Sequence, residues 1–421
     1  MEYKISVIIP AYNSEKTLPE TLDSILRQSI YNDIQLIIVN DGSTDTTSAI
    51  AKKYAEKSAN IKVITTQNGG VSAARNTGIV AAEGKYTLFL DADDLYKEET
   101  ALENVFAKME KTGADFGVFR FMSFGFGGAE YNVVAESLAA CDSIKTNDRR
   151  LIWNYLICNK CFRTVHLKES GVFFPPTCYC EDGAFLISYL VTGTPVITGI
   201  EGASAKYRKM SPFKGSQVTQ TINLKKVCDF EKSADMIIDA VKKNYKFDDI
   251  EEYFNEIYLK AAGTALNEFY RKLHLFDDET LVKVGEVYRK YHSRLTGAAL
   301  EKLKYADMTE PVFDRKKLAE NPLISVRVKH PTAEFAASLK CQNTPQFEVL
   351  SDDKNIFSGF SNLNEGKPKS STVVTFDGDE DLDPRLLSGI LKLKARFSQM
   401  PAGILKKIAE NYLKNKDSKC K

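Results

Sequence analysis

Short apolar runs alternate with helical patterns through the first hundred residues of the chain. Residues 5–9 and 34–39 are almost continuous runs of aliphatic side chains, which is typical of strands that are covered on both faces. Between these runs, Leu22, Ile25 and Leu26 recur at helical spacing. A strand, a helix and a second strand in this order predict βαβ units on a parallel sheet. The same alternation predicts a helix over 45–57 and strands over 61–65 and 85–90.

The pattern changes in the later segments. Residues 101–213 mix strand and helix patterns, including a helix over 181–191 and strands near residues 195 and 203. Helical spacing then runs from Val227 to about Leu303, and strand-like runs return after Pro322. We therefore predict an α/β protein with a Rossmann-like, mostly parallel N-terminal sheet, a helical domain and a small C-terminal α+β region. The predicted bounds are 1–100 and 101–213 for the two halves of the first domain, 214–320 for the helical domain, 321–384 for the small region and 385–421 for basic C-terminal helices.

The C-terminal strand-like runs repeat the order of the N-terminal ones in shortened form. Segments 324–326, 347–353, 359–366 and 373–379 follow the order of segments 5–7, 36–41, 70–78 and 87–93. Both series end on two aspartates that are separated by one residue. Two interpretations stay open: a shortened, catalytically silent half-repeat that serves packing, or an unrelated small domain that contains strands.

Composition narrows the classes of function. The chain has 421 residues, 43% of them hydrophobic, and its formal net charge is +1, so no overall field favours nucleic acid as a partner. The N-terminal residues lack the pattern of a secretory leader, and no apolar stretch is long enough to span a bilayer. These observations predict a cytoplasmic globular protein, and self-association into a homo-oligomer stays open.

The eight cysteines are predicted to be reduced thiols. Cys158 with Cys161 and Cys178 with Cys180 form two close pairs whose separation resembles that of structural zinc sites. The second pair has one intervening residue where a zinc knuckle has two. Buried thiols are therefore favoured over a zinc site.

The C-terminal segment 392–421 is rich in Lys and Arg. Apolar residues recur along it at helical spacing, namely Ile404, Leu405, Ile408 and Leu413. A basic amphipathic helix of this kind predicts peripheral contact with the inner face of an anionic membrane. Packing of the same helix against the body of the protein is the favoured alternative.

Polar segments follow the predicted strands, and their order is more informative than any one of them. Pro10 and Tyr12 come directly after the first strand, at the edge where open α/β sheets bind ligands and where an aromatic ring can stack on a base. Asp41 follows the second strand and can accept a hydrogen bond from the imide N–H of uracil, a group that adenine lacks. Gly42 then permits a tight turn.

The next polar segment, residues 68–78, contains paired glycines that let the backbone approach a ligand. Ala73 and Ala74 are small enough for the following helix to lie close to the sheet. Arg75, one turn into that helix, can reach a base carbonyl or a phosphate.

The most informative polar segment carries Asp91 and Asp93 after the fourth predicted strand. Residues i and i+2 of an extended chain share a face, so these two carboxylates are expected to point the same way. Their mutual repulsion is relieved by a divalent cation and its bound diphosphate. Hard oxygen ligands predict Mg²⁺ or Mn²⁺ at this position.

Together these segments resemble the nucleotide-binding half of the family-2 glycosyltransferases with the GT-A fold. The resemblance is close over residues 4–100 and looser to about residue 213. It implies transfer of a sugar from a nucleotide-sugar donor, and it implies a role for each matching residue. Pro10, Tyr12, Asp41, Asn68 and Arg75 would hold the nucleoside, Asp91 the ribose, sugar or metal, and Asp93 the metal.

The second half of the domain resembles the family as well. Glu181 and Asp182 open a predicted helix, as the acidic pair of the family does. Inversion needs one general base on the face opposite the departing diphosphate, and Asp182 is the predicted base, with Glu181 orienting it or contacting the acceptor. Stabilisation of the helix N-terminus by the two carboxylates is the alternative interpretation.

Arg208 and Lys209 resemble the basic loop that closes over the diphosphate in this family. Many relatives place a His just behind this position as a metal ligand, and this chain has Lys209 and no His nearby. A third protein ligand to the metal is therefore in doubt. Either basic side chain can instead neutralise a phosphate directly.

The sequence thus predicts an inverting, metal-dependent glycosyltransferase. It would use a nucleotide-sugar donor, in particular a UDP-sugar, and a glycan or lipid-linked acceptor of surface-polysaccharide synthesis. The main alternative is a scaffold that binds nucleotide sugar or polysaccharide without turnover. Nucleotidyl transfer is disfavoured because no basic glycine-rich loop follows the first strand, and the dehydrogenase glycine pattern is absent too.

Overall fold

The structure, a computed structural model, describes residues 3–125, 129–209, 223–265 and 277–299, together with residue 269 and short segments between residues 324 and 410. The chain divides into two units. The first consists of residues 1–209 and 229–257, and the second of residues 210–228 and 258–421. Each unit has its own sheet.

Regular elements alternate through the first unit. Its strands are β1 (Ile5–Ala11), β2 (Ile34–Asp41), β3 (Ile61–Thr66), β4 (Tyr86–Phe89), β5 (Leu95–Tyr96), β6 (Phe116–Gly125), β7 (Glu130–Tyr131), β8 (Lys160–Arg163) and β9 (Ile197–Lys209). Its helices are α1 (Leu18–Leu26), α2 (Thr47–Ala55), α3 (Val71–Ala81), α4 (Ala101–Thr112), α5 (Val133–Ala139), α6 (Arg150–Trp153), α7 (Thr164–Glu169) and α8 (Glu181–Gly193).

The predicted helical segment also forms. Its helices are α9 (Leu224–Asn244), α10 (Ile250–Thr264) and α11 (Asp278–His292). Parts of α9 and α10 belong to the first unit, whereas α11 lies in the second. The functional division of the chain into five segments stays a prediction.

The order of strands in the first sheet is β3-β2-β1-β4-β8-β6-β9-β5, with β7 paired to β6. Strands β3, β2, β1 and β4 are parallel, and β8 joins them to β6 by antiparallel pairing on both sides. The mostly parallel α/β fold predicted for the N-terminal half is therefore confirmed. The carboxyl ends of β1, β2 and β4 share one edge of the sheet, which is the position expected for a ligand site.

Packing of α3 against the sheet depends on one glycine. An added Cβ on Gly78 would lie 2.2 Å from Cγ2 of Ile8, so only glycine allows this distance between helix and strand. Ala74, one turn earlier, is buried, but Ala73 is exposed. The prediction that both alanines face the sheet is therefore wrong for Ala73.

Three local predictions are also wrong. The first strand does not end at Pro10 but continues to Ala11. Pro10 lies beyond the last residue of β1 that pairs with β4, so the N–H that proline lacks is not needed on that side. The fourth strand ends at Phe89, one residue early. The two strands expected near residues 195 and 203 are one strand, β9, with a register shift opposite Phe119.

The second unit contains a four-stranded parallel sheet. Its strands are β10 (Ile324–Val328), β11 (Phe347–Leu350), β12 (Leu363–Asn364) and β13 (Val373–Phe376). Their order, β12-β11-β10-β13, is that of β3-β2-β1-β4 when each strand is matched in sequence order. The half-repeat interpretation expects this common order, and the choice between it and an unrelated domain stays a prediction.

Hydrogen bonds extend the match between the two sheets. Ser6 Oγ donates to Gln35 Oε1 at 2.6 Å and accepts from the amide of Gly84 at 2.8 Å. Ser325, at the same position of β10, donates to Glu348 Oε1 at 2.5 Å and accepts from the amide of Ser370 at 3.2 Å.

One part of the predicted match is wrong. Residues 363–364 form β12, the counterpart of β3, so segment 359–366 does not correspond to the glycine segment and helix at 70–78. Because β13 begins at Val373, too few residues remain for a helix as long as α3.

Most of the predicted basic C-terminal helix, including Ile404, Leu405, Ile408 and Leu413, lies outside the described residues. Within the segments that are described, no helix combines the length and apolarity needed to cross a membrane.

Candidate active site

Asp41 organises the loop that precedes α3. Its Oδ1 accepts a hydrogen bond from the amide of Gly69, and its Oδ2 one from the amide of Gly70, both at 2.8 Å. The carboxylate is almost fully buried, so these two amides supply part of the hydration it has lost. Thr66 Oγ1 also donates to Oδ1 at 3.4 Å, so Oδ2 is the oxygen with a second lone pair to offer. The predicted contact with a uracil imide stays a prediction.

The other predicted nucleoside ligands surround this loop. Pro10 is buried in β1, while Tyr12 is 49% exposed just beyond its carboxyl end. Asn68 is exposed and lies against Gly42, whose φ of +69° gives the tight turn expected there. The aromatic ring and the glycine segment are therefore both accessible at the predicted edge of the sheet.

Arg75 joins the two halves of the site. Its Nη2 donates to Asp91 Oδ1 at 2.8 Å, and its Nη1 donates to Asp182 Oδ1 at 2.7 Å and to Glu181 Oε1 at 3.2 Å. The Arg75 side chain is only 3% exposed, so one buried cation contacts three carboxylates. Three protein carboxylates already bind this guanidinium in the structure. The expected contact of Arg75 with a base or a phosphate stays a prediction.

The environment of Asp182 suits a general base. The pKa of the Asp182 carboxyl is raised to about 7, chiefly by burial and in part by the neighbouring Glu181 and Asp91. Arg75 and the amide of Ile157 oppose this rise because both favour the charged carboxylate. A carboxyl that titrates near neutral pH can accept a proton and release it again.

Three aspartates cluster after β4. Asp91 and Asp93 do not lie on one face of an extended strand as predicted, because residues 91–94 form a turn in which the amide of Asp94 donates to Asp91 O at 3.0 Å. Burial raises the pKa of Asp94 well above its usual range, and Asp93 and then Asp91 raise it further. The negative charge that was expected here is present, although the backbone geometry differs.

The oxygen donors of this turn are of the kind that a hard divalent cation prefers. Asp94 Oδ2 is buried and has no hydrogen-bond partner among the described residues, and the donor atoms nearby are carboxylate oxygens. No group of three His, Cys, Asp or Glu suited to a metal ion occurs in the part of the chain that the structure describes. Asp91 and Asp93 would therefore hold the ion with oxygens of the diphosphate and water completing its coordination.

Arg208 lies beside the aspartate cluster. Its amide donates to Asp94 Oδ1 at 2.9 Å, its Nε donates to Asp93 O at 2.9 Å, and its Nη2 pairs with Glu20 Oε2 at 2.5 Å. These contacts fix the end of β9 against the turn after β4. Lys209 is the last residue of β9 and is exposed, so its ammonium is accessible to a phosphate.

Helix α9 holds the segment that leads into α8. Ser233 Oγ donates to Tyr179 O at 2.9 Å and lies 2.8 Å from Thr177 Oγ1. Asp229 Oδ2 accepts from the amide of Cys178 at 3.2 Å. These contacts fix the backbone immediately before Glu181.

Three residues near the site were missed in the sequence. Asp94 could have been found as the third aspartate of its segment. Glu20 and Lys160 carry no local signal, because only the fold brings Glu20 to Arg208 and buries Lys160 completely.

None of the four cysteines considered for zinc forms a disulfide in the part of the chain that the structure describes. Cys158 and Cys161 are buried, and burial raises the pKa of both thiols. Cys178 Sγ donates to Asp229 Oδ2 at 3.0 Å. This environment does not stabilise the thiolate form that binds zinc.

The mostly parallel sheet with an acidic turn at its carboxyl edge is consistent with the GT-A fold. Residues 6–169 match the family model described as Glycosyl transferase family 2, and this part of the chain belongs to that family. A solved structure of TarS residues 1–349 from Staphylococcus aureus, in complex with UDP-GlcNAc, has a TM-score of 0.56 and 22% identity, and the match covers 69% of this chain and 84% of that one.

Two curated relatives resemble parts of the chain. Glycosyltransferase GlyA of Streptococcus pneumoniae is 42% identical over 121 residues, which are 29% of this chain and 17% of the relative. The poly(ribitol-phosphate) beta-N-acetylglucosaminyltransferase TarS of Staphylococcus aureus is 33% identical over 175 residues, which are 41% of this chain and 30% of the relative. The matches thus span less than a third of the length of either relative.

Proposed function

We propose that the chain is an inverting, metal-dependent glycosyltransferase. It would move a sugar from a UDP-sugar to a hydroxyl of a glycan or lipid-linked polymer acceptor in surface-polysaccharide synthesis. One observation carries the proposal: a buried Arg75 joins Asp91, after the donor strand β4, to Asp182, at the start of α8. In this proposal Asp91 is a metal-binding carboxylate and Asp182 is the base, and both contact the same cation. The solved complex of TarS with UDP-GlcNAc supports a UDP-linked donor.

The reaction needs one proton acceptor and one stabilised leaving group. Asp182 would take the proton of the acceptor hydroxyl while the acceptor oxygen forms a bond to the anomeric carbon. The bond from that carbon to the diphosphate oxygen breaks, and the diphosphate departs with the electron pair from the opposite face, which inverts the configuration. A divalent ion held by Asp91 and Asp93 supplies charge neutralisation to the diphosphate. Lys209 would add a second positive charge.

The deciding experiment compares Asp182→Asn with Asp93→Asn in the full chain. We expect Asp182→Asn to bind UDP with unchanged affinity and to lose sugar transfer by a factor of about 10² or more. We expect Asp93→Asn to lose the manganese-dependent gain in UDP affinity, measured by calorimetry. Binding of UDP-sugars without transfer by the wild-type chain, across a panel of donors and acceptors, would favour the scaffold instead. Full transfer by Asp182→Asn contradicts the assignment of the base.

Localisation and partners complete the proposal. Contact with the inner face of a membrane would come from the basic C-terminal segment, and removal of residues 401–421 tests it. Loss of sedimentation with anionic vesicles is expected, and unchanged sedimentation contradicts it. Self-association is tested by light scattering of the full chain.

A further inference from the structure

Phe174 is a buried aromatic residue between α7 and α8 that the proposed reaction does not use. The guanidinium of Arg75, on α3, lies over its ring with Cζ 5.1 Å from the centroid. Phe89, the last residue of β4, lies edge to face with the ring at 5.3 Å between centroids, and Phe185 of α8 stacks on it at 3.9 Å. One ring therefore contacts all three elements whose ends meet at the site.

The backbone of Phe174 is held by the helix that carries Arg75. Asn76 Nδ2 donates to Phe174 O, and the amide of Phe174 donates to Asn76 Oδ1, both at 2.9 Å. Ser72, one turn earlier on α3, donates from Oγ to Thr177 O at 3.3 Å. The ring and the guanidinium are therefore both anchored to α3, which sets the distance between them.

The guanidinium of Arg75 is hydrogen-bonded through only part of its fork. Nη1 and Nη2 bind the three carboxylates, whereas Nε is buried and has no hydrogen-bond partner among the described residues. A buried cation whose hydrogen bonds are incomplete needs another favourable contact. The negative face of an aromatic ring supplies one, and this contact is strongest where water is excluded.

We propose that Phe174 is a positioning residue for Arg75. Its ring holds the guanidinium where Nη2 reaches Asp91 at 2.8 Å and Nη1 reaches Asp182 at 2.7 Å. Packing of the same ring on the last residue of β4 and on α8 keeps both carboxylates beside that cation. The effect on transfer rests on the proposed function, whereas the effect on Arg75 itself does not.

The first test replaces Phe174, in the full chain, by phenylalanines that carry increasing numbers of ring fluorines. Fluorine withdraws negative charge from the ring face and changes the shape of the side chain little, so it weakens the contact with a cation more than the packing. We expect kcat for sugar transfer to fall stepwise as fluorines are added, to a total loss of roughly twofold to thirtyfold.

The matched control places the same fluorinated residues at position 116. Phe116 is fully buried on β6, and its ring packs against those of Phe162 and Tyr189, with centroids 5.0 and 5.9 Å away. Fluorine there should leave kcat at the wild-type value. An equal loss at both positions would contradict the positioning role, because it would show that fluorine acts by disturbing the aromatic core.

A second measurement follows Arg75 without any reaction. A guanidinium held by several carboxylates rotates slowly, so NMR of protein with isotope-labelled arginine should resolve its Nη protons, and Arg75→Lys assigns them by their absence. We expect Phe174→Leu, which removes the ring and keeps an apolar side chain, to merge these signals and to speed their exchange with solvent. Phe116→Leu should preserve them. If Phe174→Leu does not fold, the fluorinated variants serve for the same measurement.

The outcomes separate this inference from the proposed function. Wild-type kcat in the fluorinated variants at position 174, with unchanged Arg75 signals, overturns the inference and leaves Asp182→Asn to decide the base. Loss of kcat with unchanged Arg75 signals contradicts it as well, because the ring would then act by another route. If the Arg75 signals change in Phe174→Leu while Asp182→Asn keeps full transfer, the positioning of Arg75 is supported and the proposed function fails.

Discussion

At the scale of single residues, the site is governed by the balance of one cation against several carboxylates. Arg75 is buried among Asp91, Glu181 and Asp182, and these carboxylates raise its pKa although burial alone would lower it. The guanidinium also lies over the ring of Phe174, with Cζ 5.1 Å from the ring centroid. Arginine suits this position because its planar fork can bind several carboxylates at once, which the ammonium of lysine cannot do with the same geometry.

The raised pKa of Asp182 leads to a pH prediction. Only the charged carboxylate can accept the proton, and burial raises its pKa to about 7. We therefore expect kcat/KM for transfer to rise about tenfold per pH unit on the acidic side of this value and to level off above it. Rates measured from about pH 5 to pH 9 at saturating manganese test this expectation.

The control for the pH profile is the residual activity of Asp182→Asn, which should lack this acidic limb. A wild-type profile that stays flat through neutral pH, or a limb that persists in the variant, contradicts Asp182 as the titrating base.

Residue identity was easier to predict than residue geometry. The sequence pointed to Asp41, Asp91 and Asp182, and the fold brings the last two to one guanidinium. The joint contact with Arg75 could not be predicted, since it needs α3, the turn after β4 and the start of α8 to meet. Apolar periodicity predicts each element but not the distances between their ends.

At the scale of elements, the strands were predicted well because both of their faces are buried. β1 and β2 are buried at every position, so they appear in the sequence as continuous apolar runs. The end of β4 was misplaced because the turn at 91–94 is set by an Asp94 hydrogen bond and by contact with Arg208 on β9. Such contacts join residues far apart in sequence and leave no periodic signal.

Helix α9 gives a prediction at the scale of elements. Asp229 is buried on α9 and binds Cys178 just before the acidic pair that opens α8. Asp229→Ala removes that contact and leaves a donor unsatisfied, so we expect a loss of about 1–3 kcal/mol in the free energy of unfolding. We also expect a lower kcat with unchanged UDP affinity, because α8 carries the base. Urea unfolding and transfer rates measure the two effects.

The matched control for this helix is Asp239→Ala, since Asp239 lies on the same helix with its side chain 77% exposed. It should leave both stability and kcat near the wild-type values. Equal effects of the two substitutions would show that α9 acts through its general stability rather than through the segment before Glu181.

At the scale of the whole molecule, two sheets follow one plan. Both have the same order of four parallel strands, and in both a buried serine on the first strand binds the second strand and an amide before the fourth. The sequence pattern suggested this repeat, because polar and apolar positions recur in the same order. The sequence pattern gave the wrong match for the third strand. β12 has only two residues, which are too few to show an alternation of apolar and polar positions.

The repeat raises the question of whether the second sheet also binds a nucleotide. Ser6 of β1 pairs with Thr87 of β4, and the matching Ser325 of β10 pairs with Val373 of β13. Counting on from these pairs, Asp377 and Asp379 occupy the sequence positions that correspond to Asp91 and Asp93. Residues 365–372, which connect β12 to β13, are fewer than the 11 residues of α3 and contain no arginine. This connection therefore has no counterpart of Arg75, the cation that contacts the carboxylates in the first unit.

We therefore expect only the first sheet to bind a metal-dependent nucleotide. Asp93→Asn should abolish the manganese-dependent gain in UDP affinity, whereas Asp379→Asn, the same change at the matching position, should leave affinity and stoichiometry unchanged. Calorimetry on the full chain should give one manganese-dependent UDP site in the wild type and one in Asp379→Asn. It should give no such site in Asp93→Asn. A second manganese-dependent site that disappears with Asp379→Asn would contradict the catalytically silent half-repeat. Aspartates would then be sufficient for metal-dependent UDP binding without a counterpart of Arg75.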